Sequence, residues 1–371
     1  MRLLLAIDSF FPGTGGAECQ VALLGQLLRK RGHEVRIVAP RLDPDLPTEE
    51  IIDGTRVTRI DYPKVRVLGS LFLIAYFMWF LLRERHNFDA IHVHIAKHLA
   101  AAAGAVRPWL NSPVLVKISG AWEFDGGVLD QRKMRNPAYA LARWLIKRND
   151  AVQSISAETS RRLRAADFAP EKIETIPNAI ALPPHRALRQ ARIGGERSRR
   201  VVYVGRLEAV KGVDVLLRAW RALPSRAGIE LHFVGDGRLR PELERYAGEH
   251  GLSGSVHFHG WLSNVRPVLD EADLYVQPSL SEGLPNAVLE AMAASLPVVA
   301  TRVSGNEDLV AEGLNGYLVA PADEVALTAG LQRALDPSSD LIGMGKASRK
   351  MVEEHYGSDH VIPRLEAFYG R

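Results

Sequence analysis

Two carboxylates, Glu282 and Glu290, bracket the stretch Ser281-Glu282-Gly283-Leu284-Pro285-Asn286-Ala287-Val288-Leu289-Glu290. A carboxylate accepts two hydroxyl hydrogen bonds, which suits sugars and ribose. On one continuous helix this spacing would turn the pair about 80° apart. Pro285 suits the first turn of a helix, where its missing N–H costs nothing. Glu282 is therefore expected in a loop and Glu290 in the second helical turn, a break that lets both address one ligand. Amides at the helix start would add an anion site. Taken alone, the spacing fits a loop carboxylate and a solvated helical one equally well.

A second constellation is Val201-Val202-Tyr203-Val204-Gly205-Arg206-Leu207-Glu208-Ala209-Val210-Lys211-Gly212. A strand is expected to end at Gly205, with two cations in the loop behind it. Arginine offers a forked pair of donors to phosphate, and lysine a mobile point charge. Together they would neutralise a diphosphate and stabilise its departure. A third element is the loop Phe11-Pro12-Gly13-Thr14-Gly15-Gly16-Ala17-Glu18. Glycines at a helix start permit phosphate approach. Glu18 stands where the dinucleotide fingerprint needs its third glycine, so a nicotinamide reading is poor.

These loops need strands and helices to hold them. Short runs rich in Val, Ile and Leu recur along the chain, without alternation, as in strands buried on both faces. They fall at Leu3–Ile7, Val35–Ala39, Val57–Ile60, Ala90–Val93, Val114–Ile118 and Val152–Ile155, then at Val201–Val204, Leu231–Val234, Val256–His259, Leu274–Val276, Val298–Ala300 and Tyr317–Val319. Helical stretches lie between them, which predicts α/β architecture with parallel sheets. The rhythm breaks once, over residues 181–200, where prolines, glycines and arginines replace any apolar face. That segment reads as a linker. The expected domains are 1–180 and 201–356, with a last helix over 357–371 returning to the first. Ligands of such folds bind outside the carboxyl edges of the strands.

The chain has 371 residues, 47% of them hydrophobic, and suits two domains of ordinary size. One cysteine, Cys19, excludes an internal disulfide and fits a reducing compartment. It is expected on a buried helix face. The net charge of +4 is uneven: residues 1–195 carry 28 basic and 19 acidic side chains, so +9, and the remainder 19 and 24, so −5. The basic residues are scattered and no RNP, zinc-finger or helix-turn-helix pattern accompanies them, so nucleic acid is ranked last. The longest apolar run, Leu71–Leu82, would form a helix about 18 Å long against a membrane core of roughly 30 Å. It does not span. It is either a core helix or one whose outer face, with Phe72, Tyr76 and Trp79, meets a membrane surface between Lys64, Arg66, Arg83 and Arg85.

The three constellations together resemble the GT-B-fold retaining glycosyltransferases of family 4. Further stretches carry the resemblance nearly end to end: Arg31-Gly32-His33-Glu34-Val35, Asp89-Ala90-Ile91-His92-Val93-His94, Ile176-Pro177-Asn178, Val234-Gly235-Asp236-Gly237 and Asn315-Gly316-Tyr317-Leu318-Val319. The combination of the Glu282/Glu290 pair with Gly205-Arg206-Leu207 and Lys211-Gly212 is specific to the family; the single pieces are not. The chain departs from the family at Ser119, where many members have His, at Ala179 in place of Gly, and at Asp308 in place of Glu.

The resemblance implies two Rossmann-like domains and transfer of a sugar from a nucleotide-diphosphate sugar to a hydroxyl, with retention of configuration. A UDP-sugar is the first expectation and GDP-mannose the alternative. Arg206 and Lys211 would hold the diphosphate. Glu290 would bind ribose, and Glu282 with the Gly283 and Leu284 backbone the donor sugar. Gly260 would lie near the base, and Gly15 and Gly16 would approach the diphosphate from the first domain. On the acceptor side stand His94, Ser119 and Glu123. No metal or other cofactor is expected. His92, His94 and His98 lack a completing ligand, and Asp43-Pro44-Asp45 reads as a solvated turn. A lipid-linked or envelope-polysaccharide acceptor at the cytoplasmic membrane face would unite the apolar run with the basic first half. A second reading is a catalytically silent sugar-nucleotide-binding subunit.

Overall fold

The computed structural model describes residues 1–65, 68–184 and 198–371. The chain divides into two units, Met1–Ala181 with Ser358–Arg371, and Leu182–Gly357. Of the stretch read as a linker, residues 185–197 lie outside the described residues, as does Arg66; the strand that follows already begins at Arg199.

The first unit is built on an eight-stranded sheet. Its strands are β1 (Arg2–Ile7), β2 (Glu34–Pro40), β3 (Glu49–Ile52), β4 (Thr55–Ile60), β5 (Ala90–His94), β6 (Val114–Lys117), β7 (Ala151–Ser154) and β8 (Ile173–Thr175). They lie in the order β3-β4-β2-β1-β5-β6-β7-β8. All neighbours are parallel except β3 and β4. β1 reads Arg-Leu-Leu-Leu-Ala-Ile and buries every residue after the first, because helices cover both faces. The helices of this unit are α1 (Gly16–Lys30), α2 (Gly69–Arg83), α3 (His98–Val106), α4 (Pro137–Lys147), α5 (Ala157–Ala165) and α13 (Ser358–Tyr369). α13 places Val361, Ile362, Leu365 and Phe368 in the same core cluster as β1 and α1.

The second unit holds a six-stranded, wholly parallel sheet in the order β11-β10-β9-β12-β13-β14. The strands are β9 (Arg199–Val204), β10 (Ile229–Val234), β11 (Val256–Phe258), β12 (Leu274–Gln277), β13 (Val298–Thr301) and β14 (Gly316–Val319). Its helices are α6 (Val213–Arg221), α7 (Arg240–Glu249), α8 (Arg266–Glu271), α9 (Asn286–Ala293), α10 (Asn306–Leu309), α11 (Glu324–Leu335) and α12 (Leu341–His355). The strand order reverses between β9 and β12, the point at the carboxyl edge of such a sheet where ligands characteristically bind in a crevice. In the first unit the same reversal falls between β1 and β5.

Two expectations need correction, and α2, for which two readings were open, has a core face and an exposed one. β3 and β8 join the sheet as edge strands; β3, Glu-Glu-Ile-Ile, buries none of its residues and lacks the apolar signature of a central strand. Cys19 is exposed, because the buried stripe of α1 runs through Gln20, Val21, Leu24 and Leu28 and leaves position 19 outside it. α2 is not buried all round. Leu73, Phe77, Phe80 and Leu81 enter the core, while Phe72, Tyr76 and Trp79 are 37%, 45% and 57% exposed. Among the described residues no helix is long and apolar enough to cross a membrane.

Candidate active site

At the crevice of the second unit, the loop after β9 carries Arg206 and Lys211, and the loop after β12 carries Glu282. Glu282 is buried. Its Oε1 accepts hydrogen bonds from Lys211 Nζ at 2.6 Å, Ser279 Oγ at 2.6 Å and Gln277 Nε2 at 2.8 Å. A buried carboxylate persists only when a charge and donors of this kind surround it. The donors are themselves held. Gln277 Oε1 accepts from the Tyr275 hydroxyl at 2.7 Å, the Ser279 carbonyl from Thr301 Oγ1 at 2.5 Å, and the Thr301 carbonyl from Asn306 Nδ2 at 2.9 Å. The chain of bonds thus crosses from β12 to β13 and α10. Glu282 Oε2 has no partner among the described residues and stays available to a ligand hydroxyl.

Backbone contacts lock the same loops. Leu280 N donates to Val210 O at 2.8 Å, tying the two loops across the crevice. Gly212 has φ of 62°, and a Cβ there would lie 2.1 Å from the Pro278 carbonyl oxygen. Gly305 has φ of 69°, and its Cβ would lie 2.3 Å from the Gly283 carbonyl oxygen. Only glycine satisfies both conformation and contact at these positions. Gly283 and Leu284 follow Glu282 at the head of α9, for which Pro285 serves as the N-cap residue. Gly260, with φ of 70°, accepts from Gly235 N at 2.8 Å and closes the loop beyond β11 onto the end of β10.

The two cations differ. The Lys211 side chain is committed to Glu282. Arg206 is exposed and its guanidinium has no carboxylate partner among the described residues, while its carbonyl accepts from the Tyr203 hydroxyl at 2.9 Å. An unpaired guanidinium beside a glycine turn at the switch point is poised for an anion. Glu290 lies in the second turn of α9. Burial pushes its carboxyl up from 4.5 to about 7. The arrangement therefore offers a diphosphate one free and one paired cation, and offers hydroxyl groups two carboxylates.

In the first unit the residues expected on the acceptor side are all at the carboxyl edge, but turned inward. Glu123 is fully buried, and its carboxylate accepts from Ser119 N at 2.5 Å, Ala96 N at 2.6 Å and Gly120 N at 2.8 Å. It ties the loop after β6 to the loop after β5. The Ser119 hydroxyl is buried without a partner among the described residues. His94 is fully buried and lies 4.3 Å from His92, centroid to centroid; burial drives both rings well below the ordinary imidazole value, so both are neutral. His98 instead faces Asp8, Nδ1 to Oδ2, at 3.5 Å. Asp45 N donates to Asp43 Oδ1 at 2.9 Å in an exposed turn.

Beside these groups opens a cavity of about 300 Å³, lined among others by Asp8, Tyr62, Lys64, Leu73, Lys97 and His98. Sequence reasoning passed over Asp8 and Lys97, although both sit just beyond the strands β1 and β5 where the order reverses. Ile95, at the end of β5, has φ of 74°, a strained conformation for a branched residue and a mark of functional loops. Gly15 and Gly16 lie at the start of α1. There the Glu18 carboxylate folds back over Gly15 and takes a hydrogen bond from Ser9, so the chain supplies its own anion at this helix start.

Comparison with known proteins followed the same division. Residues 14–182 match the family described as Glycosyltransferase Family 4, and residues 198–337 that described as Glycosyl transferases group 1. The amylovoran biosynthesis glycosyltransferase AmsK of Erwinia amylovora is 30% identical over 229 residues, 59% of this chain. That match spans 56% of AmsK, little more than half its length. Sucrose-phosphate synthase of Thermosynechococcus elongatus superposes with a TM-score of 0.81 at 22% identity, over 99% of this chain and 98% of that one. HepE of Anabaena, in complex with UDP-glucose, superposes with a TM-score of 0.77 at 19% identity over the whole of both chains.

The raised carboxyl of Glu290 makes a prediction about stability. Its folded value lies above the unfolded one, so the penalty is absent below pH 4.5 and complete above pH 7. Glu290→Gln should raise the melting temperature at pH 8 by roughly 3–6 °C, about 1–2 kcal/mol after allowance for solvent contact, and leave it unchanged at pH 4. Thermal melts at the two pH values check this; an equal shift at both would refute it.

Proposed function

The chain belongs to the group 1 glycosyltransferases of family 4, and from that premise we propose that it moves a sugar from a nucleotide-diphosphate sugar to a hydroxyl with retention of configuration. A UDP-sugar is favoured as donor, with GDP-mannose the alternative; the UDP-glucose bound to the structurally similar HepE supports that order. The single observation that carries the reading is the open Arg206 guanidinium beside the Lys211–Glu282 pair at the switch point of the second sheet.

Arg206 takes the diphosphate through its fork of donors, and Lys211 shares its charge between Glu282 and the departing phosphate. Charge developing on the leaving group meets cations already in place, so little reorganisation is needed. The dipole of α9 adds to them. Glu282 Oε2 accepts a hydroxyl of the donor sugar. Glu290, ionised when ribose hydroxyls donate to it, holds the nucleoside. These fixed cations do the work a divalent ion does elsewhere, so the proposed transfer uses no metal.

The acceptor reading rests on the first unit. Lys64 and Lys97 around the cavity suit an anionic group, Asp8 with its neighbour His98 a hydroxyl, and Tyr62 and Leu73 an apolar group. α2 forms one wall of this cavity through Gly69, Ser70 and Leu73. Its outer stripe, Phe72, Tyr76 and Trp79, ends at Arg83, whose guanidinium lies 5.1 Å from the Trp79 ring. Aromatic and cationic groups in one stripe suit an anionic bilayer surface. A lipid-linked or envelope-glycan precursor would then present its head group to the cavity.

Two measurements test these assignments. Arg206→Ala should cut turnover by about a hundredfold, near 3 kcal/mol, and leave the melting temperature intact. Lys211→Ala should cut turnover similarly but also destabilise the protein by about 1–3 kcal/mol, because Glu282 is left buried and unpaired. Near-normal turnover in both variants would overturn the diphosphate assignment.

The membrane reading is tested by flotation. The protein should float with vesicles containing anionic lipid at low salt and detach as salt rises, and the double substitution Tyr76→Ala, Trp79→Ala should abolish flotation. Protein that stays in the soluble fraction at low salt contradicts the membrane surface.

A further inference from the structure

A cluster of polar side chains in the second unit has no part in the site at the crevice. Glu230 and His232 alternate along β10, and His232 is the register partner of His257 on the edge strand β11. One ligand atom from each of the three lies within 4.8 Å of the other two. His232 is buried, whereas Glu230 and His257 are partly exposed, so the cluster opens to solvent at the sheet edge. The His232 and His257 rings lie 4.9 Å apart, and His259, just beyond the strand, stacks on His232 at 5.1 Å.

We propose that Glu230, His232 and His257 bind a divalent transition metal, Zn²⁺ before others, which joins β11 to β10. Two imidazoles and one carboxylate suit zinc and its neighbours and disfavour Mg²⁺ or Ca²⁺, which take oxygen. Bonds of about 2.0–2.2 Å put tetrahedral ligand atoms about 3.3 Å apart. His232 Nε2 and Glu230 Oε2 already stand 3.2 Å apart. The His257 ligand atom lies within 4.8 Å of those of the other two, so the third bond needs His257 to draw in, and a tetrahedral metal would take a water as its fourth ligand.

The surroundings of His232 are those of a ligand. Its Nδ1 lies 2.9 Å from His259 Nε2. With Nε2 on the metal, the proton resides on Nδ1 and donates to His259, which fixes the tautomer and ring orientation. Glu230 has two other partners among the described residues, Arg200, whose Nε lies 3.7 Å from Oε2, and the Ser198 side chain. The Arg200 guanidinium also bonds Glu271 on α8 through Nη1 and so keeps one carboxylate partner when Glu230 turns to a metal.

The test uses full-length protein without an affinity tag, stripped with chelator and titrated with ZnCl₂ by calorimetry. One equivalent should bind with a dissociation constant at or below about 1 µM and raise the melting temperature. Glu230→Gln and His257→Gln should each weaken binding by at least about tenfold, as loss of a ligand or its support does, while matching the parent's melting temperature in chelator. The absence of saturable binding below about 100 µM, or binding of one equivalent that both substitutions leave intact, would overturn the proposal.

Discussion

A carboxylate taken out of water has to be met by charge and donors, and Glu282 meets this demand with one lysine, one serine and one glutamine on a single oxygen. Everything else at the crevice of the second unit follows from it. Lys211 must come to within bonding distance, so the loop after β9 folds across towards the loop after β12. That approach brings the backbone at Gly212 against Pro278, where no side chain fits. Gln277 and Ser279 must be oriented, so Tyr275, Thr301 and Asn306 are drawn into the network from two strands and a short helix. The result is a rigid carboxylate with one oxygen committed to the protein and one left for a ligand.

The first unit solves a similar problem differently. Glu123 is fully buried, and three backbone amides fill both of its oxygens. Burial and those amides oppose each other, and burial prevails, lifting the carboxyl to about 7; burial likewise lowers the nearby Lys117 to about 7. Such a group is closed to ligands and serves to tie two strand-end loops together. The open chemistry lies next to it, at Asp8, Lys97 and His98. A buried glutamate thus organises the carboxyl edge of each sheet, but both oxygens of Glu123 are bonded, whereas among the described residues Glu282 keeps one oxygen without a partner.

Much of this was legible in the sequence because it is local. Pro285 separates a loop Glu282 from a helical Glu290, and the structure keeps that separation. Runs such as Leu3–Ile7 and Val201–Val204 became central strands because residues buried on both faces leave an unbroken apolar signature. What escaped was set by tertiary contact. The Lys211–Glu282 pair joins residues on different loops, and no spacing announces it. Glu18 reads as an ordinary first-turn acid until it is seen folded over Gly15. His94 and Glu123 look like surface chemistry in the sequence and prove buried, because they sit where loops close over the sheet. Glu230, His232 and His257 converge only through the register of β10 and β11.

The central claim is that Glu282 addresses the donor sugar and Glu290 the nucleoside, each from its own place around one diphosphate site. Calorimetry separates the two roles. UDP and GDP are titrated into the parent protein, and the one that binds is then compared with its glucose or mannose conjugate in Glu282→Gln and Glu290→Gln. The account predicts that Glu290→Gln weakens the free nucleoside diphosphate and its conjugate alike, by about tenfold or more, the worth of one charged hydrogen bond. Glu282→Gln should leave the free nucleotide unchanged and lose only the added affinity of the sugar. Equal losses in both variants for both ligands would contradict it.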